Sequence, residues 1–170
     1  MNKEKACCFI GHRKISSTEE LKAKLCEIIE ELITDENVKV FLFGSRSQFD
    51  DLCLETVTKL KQKHPEIKRI YARAEYPYIT EDYLSYLIES YDDTYYSEKI
   101  LNAGAASYVE RNTDMIDKSD VCIFYYDENY LPPRRKSAKR AIADYQPKSG
   151  TKIAYDYAHT KKKSVINICK

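Results

Sequence analysis

The residues with chemical potential in this sequence are few, and they fall at the ends of apolar runs. Gly11, His12 and Arg13 follow Ala6–Ile10, while Gly44 and Ser45 follow Val38–Phe43, with Asp50 just beyond. Arg111 and Asn112 precede Val121–Tyr126, and Ser149, Gly150 and Thr151 stand directly before a helical stripe. A strand end followed by glycine is where an α/β chain can turn sharply beside a ligand, and it is also an ordinary turn. A helix start offers unpaired N–H donors and a positive dipole end to an anion. The Ser149-Gly150-Thr151 turn has that character, with Lys148 and Lys152 adding charge; a plain helix cap is the alternative. Asp50, in the first turn of a helix, already complements that helix's dipole. It would repel a phosphate there but could accept ribose hydroxyls, or simply cap the helix. His12 is a candidate general acid/base or phosphate donor, with a solvated loop histidine as the alternative.

Several chemistries lack support. There is no GxGxxG and no GxxxxGK[ST], so neither a Rossmann dinucleotide fingerprint nor a P-loop is present. No histidine pair stands at metal spacing, and the six cysteines form neither a CxxC nor a Cys/His metal pattern. Neither a metal nor a cofactor is expected. Most of the cysteines lie in apolar runs and read as reduced core thiols of a cytoplasmic protein. The formal charge is +1, which gives no general attraction to nucleic acid or membrane. No apolar run approaches the ~18 residues of a membrane span. The start MNKEKACCFI is too short and mixed for a signal peptide.

These residues need elements to position them. Ala6–Ile10, Val38–Phe43, Ile67–Ala72 and Val121–Tyr126 read as strands covered on both faces, and Ser164–Cys169 closes the chain. Ser16-Ser17-Thr18-Glu19 reads as a capping box, followed by Leu21, Leu25, Ile28 and Leu32 at helical spacing. Phe49, Leu52, Cys53, Val57 and Leu60 form a second helical stripe, and Ile153, Ala154, Tyr157 and Ala158 a last one. Residues from Thr80 to Ile100 read as helical with a break, and Asn112 to Asp117 as a short helix. Alternating strands and helices predict a Rossmann-like, doubly wound, mostly parallel sheet of about five strands flanked by helices. One domain over residues 1–170 is expected, with a basic loop excursion at about 128–148. The chain has only four glycines, so each is expected to answer a backbone need.

Eight tyrosines lie between Tyr71 and Tyr96. Tyr76 and Tyr78, just past the third strand, are best placed to stack on a base. Tyr83 with Leu84 and Leu87 reads instead as helical packing. The basic run Pro132–Arg140 lacks interleaved aromatics and reads as a solvated loop, so nucleic acid is not the expected partner.

In order along the chain, "CCFIGHR", "FLFGSRSQFD", "YVERNTDMIDKSDVCIFYYD" and "SGTKIAYDYAHTKKKSVINI" resemble the SLOG superfamily of DNA-processing and "lonely guy" proteins. Within it the chain is similar to the YpsA-like bacterial family of unknown function. The resemblance covers nearly the whole chain and implies a Rossmann-like fold that binds nucleotides or nucleotide-derived ligands. By position it implies that Gly11, His12 and Arg13 line a first loop and Gly44, Ser45 and Asp50 a second. Arg111 and Asn112 would then face the ligand, while Ser149, Gly150 and Thr151 hold phosphate. Two positions depart from the pattern: Gln48 replaces a second glycine, and Ser149 replaces a first one.

The phosphoribohydrolase branch cleaves the base–ribose bond of nucleoside 5'-monophosphates with an arginine and a glutamate. Arg111 matches the arginine and is the candidate catalytic residue of that route, but Ala154 stands at the glutamate position. Stabilising or hydrating an oxocarbenium-like centre needs a carboxylate. Asp156 lies roughly 200° around the helix from position 154. The expectation is therefore a binding or sensing module for a nucleotide or nucleotide-derived small molecule. An N-glycosidase and a single-stranded DNA-binding protein stay as alternatives, and self-association stays open.

Overall fold

Runs that are apolar without alternation can only be satisfied between two layers, and that is where this chain puts them. The computed structural model describes residues 4–45, 47–74, 80–98, 100, 106–130 and 149–169. Elements alternate as β1 (Lys5–Gly11), α1 (Glu19–Glu36), β2 (Val38–Phe43), α2 (Gln48–Lys61), β3 (Lys68–Arg73) and α3 (Glu81–Ile88). They continue as β4 (Asp93–Tyr96), α4 (Ala106–Lys118), β5 (Val121–Tyr125), α5 (Gly150–Thr160) and β6 (Ser164–Asn167). The strands form one sheet in the order β4-β3-β2-β1-β5-β6, and every neighbouring pair is parallel. The chain starts at the centre, winds outward through β2, β3 and β4, then crosses to the other side of β1 for β5 and β6. The direction of winding reverses between β1 and β5, and a crevice opens there at the carboxyl edge.

Alternate residues of the central strands feed two cores. Cys7 and Phe9, with Phe41 and Phe43, pack against Leu25 and Ile29 of α1 and Phe49, Cys53 and Val57 of α2. Cys8 and Ile10, with Leu42, Cys122 and Phe124, pack against Met115 and Ile116 of α4 and Ala154 and Ala158 of α5. Each large side chain so buried contributes about 1.5–3 kcal/mol. All six cysteines are free thiols, and burial pushes those of Cys7 and Cys53 well above their ordinary range, so they behave as small apolar groups. Among the described residues no helix is long and apolar enough to cross a membrane.

The sheet has a sixth strand, β4, inside the stretch expected to be helical. Only its first part, α3, is a helix. The sequence Asp-Thr-Tyr-Tyr of β4 lacks a continuous apolar run because an edge strand is paired on one side and partly exposed. Helix α4 begins at Ala106 and not near Asn112. The expected capping box does not form around Ser16: Thr18 is the N-cap of α1, its Oγ1 accepting from the Leu21 amide at 3.0 Å. The basic run Pro132–Arg140, most of the 128–148 excursion, Tyr76 and Tyr78 lie outside the described residues.

Candidate functional site

The loops after β1 and β2 and the N-termini of α4 and α5 meet at the carboxyl edge around a cleft of about 1150 Å³. Gly11, His12, Arg13, Gly44, Ser45, Asp50, Arg111, Asn112, Ser149, Gly150 and Thr151 all line it. These eleven residues, expected from the sequence to form a site, are thus brought to one place. Tyr71, Tyr86, Tyr108 and Tyr130 join them, together with Lys14 and Ser47.

Two of the glycines are explained by close approach. A Cβ on Gly11 would lie 2.3 Å from Phe49 Cδ2, so the end of β1 rests directly on the start of α2. A Cβ on Gly44 would lie 2.7 Å from Arg111 Nε and 2.6 Å from Met115 Sδ. Gly44 is therefore the gap through which Arg111 reaches the cleft. At Gly150 nothing stands within 4 Å of an added Cβ.

Asp50 is not the cap of α2. Ser47 is, its Oγ accepting from the Asp50 amide at 3.0 Å. The Asp50 carboxylate instead closes the loop behind it. Its Oδ2 accepts from the Ser45 amide at 2.7 Å, the Ser45 hydroxyl at 2.9 Å and the Gly44 amide at 3.4 Å. Its Oδ1 is buried with no hydrogen-bond partner among the described residues, and the residue is 2% exposed. Burial pushes the carboxyl up from its ordinary 3.8 to about 6, against the Ser45 hydrogen bonds and the Arg111 charge.

Arg111 is 6% exposed. Its Nε and Nη2 donate to Asn112 Oδ1 at 3.3 and 3.1 Å, and its guanidinium lies 5.3 Å from the centre of the Tyr108 ring. Tyr108 stands one helical turn before Arg111, on the same face of α4, which is a signal the sequence carried. The Arg111 cation and the Asp50 carboxylate thus flank Gly44, each partly offsetting the other's burial.

His12 is 3% exposed, so the alternative of a solvated loop histidine does not apply. Its ring stacks on Tyr130 with centroids 4.2 Å apart and meets Tyr125 and Tyr126 edge-on. Nε2 accepts from the Asp127 amide at 2.9 Å, which leaves the ring proton on Nδ1 of a neutral imidazole. Burial lowers its pKa, against the pull of Asp127. His12 therefore braces the segment after β5 as well as lining the cleft.

Gln48, which stands where the resemblance has a glycine, ties two cleft loops together. Its amide donates to the Arg13 carbonyl at 2.8 Å, and its Oε1 accepts from the Ile15 amide at 2.9 Å. Arg13 and Lys14 are exposed at the rim. Ser149, the other departure, is the N-cap of α5, its Oγ accepting from the Lys152 amide at 3.0 Å. The first-turn amides of α5 that point along the helix axis have no intrahelical acceptor. Ala154 is 3% exposed inside the second core, and Asp156 pairs with Lys152 at 3.2 Å away from the cleft lining. Among the described residues no group of His, Cys, Asp or Glu side chains is arranged to hold a metal ion.

An all-parallel, doubly wound sheet with a cleft over its switch point defines a Rossmann-like α/β protein. No family model matches the chain. It is 30% identical over 152 residues to the uncharacterized SPbeta prophage-derived protein YoqJ of Bacillus subtilis strain 168, covering 76% of this chain and 81% of that protein. The chain belongs to the family of that prophage-derived protein.

Proposed function

We propose that the cleft binds a nucleotide or nucleotide-derived small molecule and that the protein is a cytoplasmic binding or sensing module of the SLOG kind, similar to the YpsA-like branch. The observation that carries this reading is a juxtaposition: buried Arg111, the Asp50 carboxylate and the first turn of α5 line one cleft. The α5 turn and the rim cations Arg13 and Lys14 suit an anionic group. Tyr86, Tyr108 and Tyr130 are each more than a third exposed and suit an aromatic base. The cleft volume of about 1150 Å³ is ample for a ligand of nucleotide size. Cleavage of an N-glycosidic bond by the phosphoribohydrolase route would need a carboxylate where Ala154 packs into the core, so binding without base release is the favoured reading.

Thermal-shift screening of the whole chain against nucleosides, nucleotides and cyclic nucleotides tests this. A ligand at 100 times its dissociation constant stabilises by about 2.7 kcal/mol. Phosphate-bearing compounds should raise the melting temperature and unphosphorylated nucleosides should not. A flat response to every phosphate-bearing compound contradicts the proposal.

A further inference from the structure

Asp50, which lines the cleft, carries a buried acceptor that has no hydrogen-bond partner among the described residues. Asp50 is fixed at three points: its amide by Ser47, and its Oδ2 by Ser45 and Gly44. The carboxylate cannot rotate to satisfy Oδ1 without breaking those bonds. Asp50 lines the cleft, and its Oδ1 has no partner among the described residues. Buried acceptors are rarely left unpaired in a folded protein.

We propose that Asp50 Oδ1 selects the ligand by accepting a hydrogen bond from a neutral donor on it, a sugar hydroxyl or a base amine. This rests on the nucleotide reading above and goes beyond it, because it assigns a discrimination to one atom. The chemistry of the donor follows from the surroundings. A phosphate group is anionic at neutral pH and would be repelled by the carboxylate. Arg111 lies against the same glycine but directs Nε and Nη2 to Asn112 Oδ1. A metal ion is not implied, since Asp50 belongs to no ligand cluster among the described residues. A group that brings an O–H or N–H and no net charge is what remains. A site built around such a bond discriminates strongly against analogues that lack the donor, because the buried acceptor is then left unpaired.

The test is calorimetric titration of the full chain with AMP, GMP, CMP and UMP. For each one that binds, the 2'-deoxy and 3'-deoxy analogues remove sugar donors, while IMP against AMP and UMP against CMP remove a base amine. Deleting one of these donors should weaken binding by tenfold or more in the wild type. In Asp50→Asn, whose amide can still serve Ser45 while turning an N–H towards the cleft, the same deletion should matter less than twofold. Asp50→Ser is the second variant, and circular dichroism confirms folding of both. Deletions that all stay within twofold in the wild type overturn the inference and leave the nucleotide reading standing. So does discrimination that persists in a folded Asp50 variant. Failure of all four monophosphates to bind, together with a flat thermal-shift response to every phosphate-bearing compound, overturns both.

Discussion

The two sides of the cleft are built on opposite principles. Around Gly11 and Gly44 the chain is crowded: an added Cβ would collide with Phe49 on one glycine and with Arg111 and Met115 on the other. Charged groups there, Asp50 and Arg111, are buried and held by neighbours. At the start of α5, Gly150 faces open space and the helix is capped by an ordinary serine. Glycine at the crowded side is a packing requirement that delivers charge into the cleft. Glycine at the open side answers no such packing requirement.

That contrast can be broken by substitution. The largest effect is expected at Gly11→Ala. The added carbon meets the Cδ2, Cγ and Cβ of fully buried Phe49, which cannot swing aside, so a loss of about 3 kcal/mol or more is expected in urea unfolding. A loss below ~0.5 kcal/mol would mean that the β1–α2 contact is not tight.

Asp50→Asn tests the buried charge and has a defined sign. The carboxyl is raised in the folded state to about 6 from 3.8, so the native state binds its proton more tightly than the unfolded state. The group's contribution is fully present below about pH 4 and is lost as pH rises through about 6. Wild type should therefore lose stability relative to Asp50→Asn between pH 4 and pH 7, by roughly 2–3 kcal/mol in paired denaturation curves. A stability difference that is flat with pH would show that Asp50 is not desolvated.

Gly150→Ala sharpens the other half of the comparison with the smallest effect. A methyl group there meets nothing, and alanine is the better helix former, so stability should be unchanged or rise by up to ~0.5 kcal/mol. Ligand affinity should fall if the open space is used for close approach of a phosphate. Unchanged affinity would move the anion away from the start of α5.

Much of this architecture was legible in the sequence because burial on both faces leaves a continuous apolar run. Cys7–Ile10, Phe41–Phe43 and Val121–Phe124 carry that signature and are the central strands. The stretch Asp93–Tyr96 does not, since an edge strand needs no second apolar face, and it was hidden among tyrosines and acids. The cleft residues were legible because glycine, buried charge and helix starts mark the carboxyl edge in any doubly wound sheet. What they do for one another was not. Nothing in the sequence says that Gly44 makes room for Arg111, that Gln48 clamps the Arg13 loop, or that His12 is stacked on Tyr130. Those contacts join residues from 35 to 118 positions apart, and only the sheet order brings them together.

Under the proposed function, Arg111 presents a buried charge to a nucleotide without cleaving it. Titrating wild type and Arg111→Ala with the best-binding nucleotide, while assaying the same mixtures for free base, tests it most directly. Wild type is expected to bind, the variant to lose about 2 kcal/mol of affinity, roughly thirtyfold, and neither to release base. Equal affinity in a folded variant would contradict the role of Arg111, and base release that Arg111→Ala abolishes would make the protein a nucleotide N-glycosidase instead.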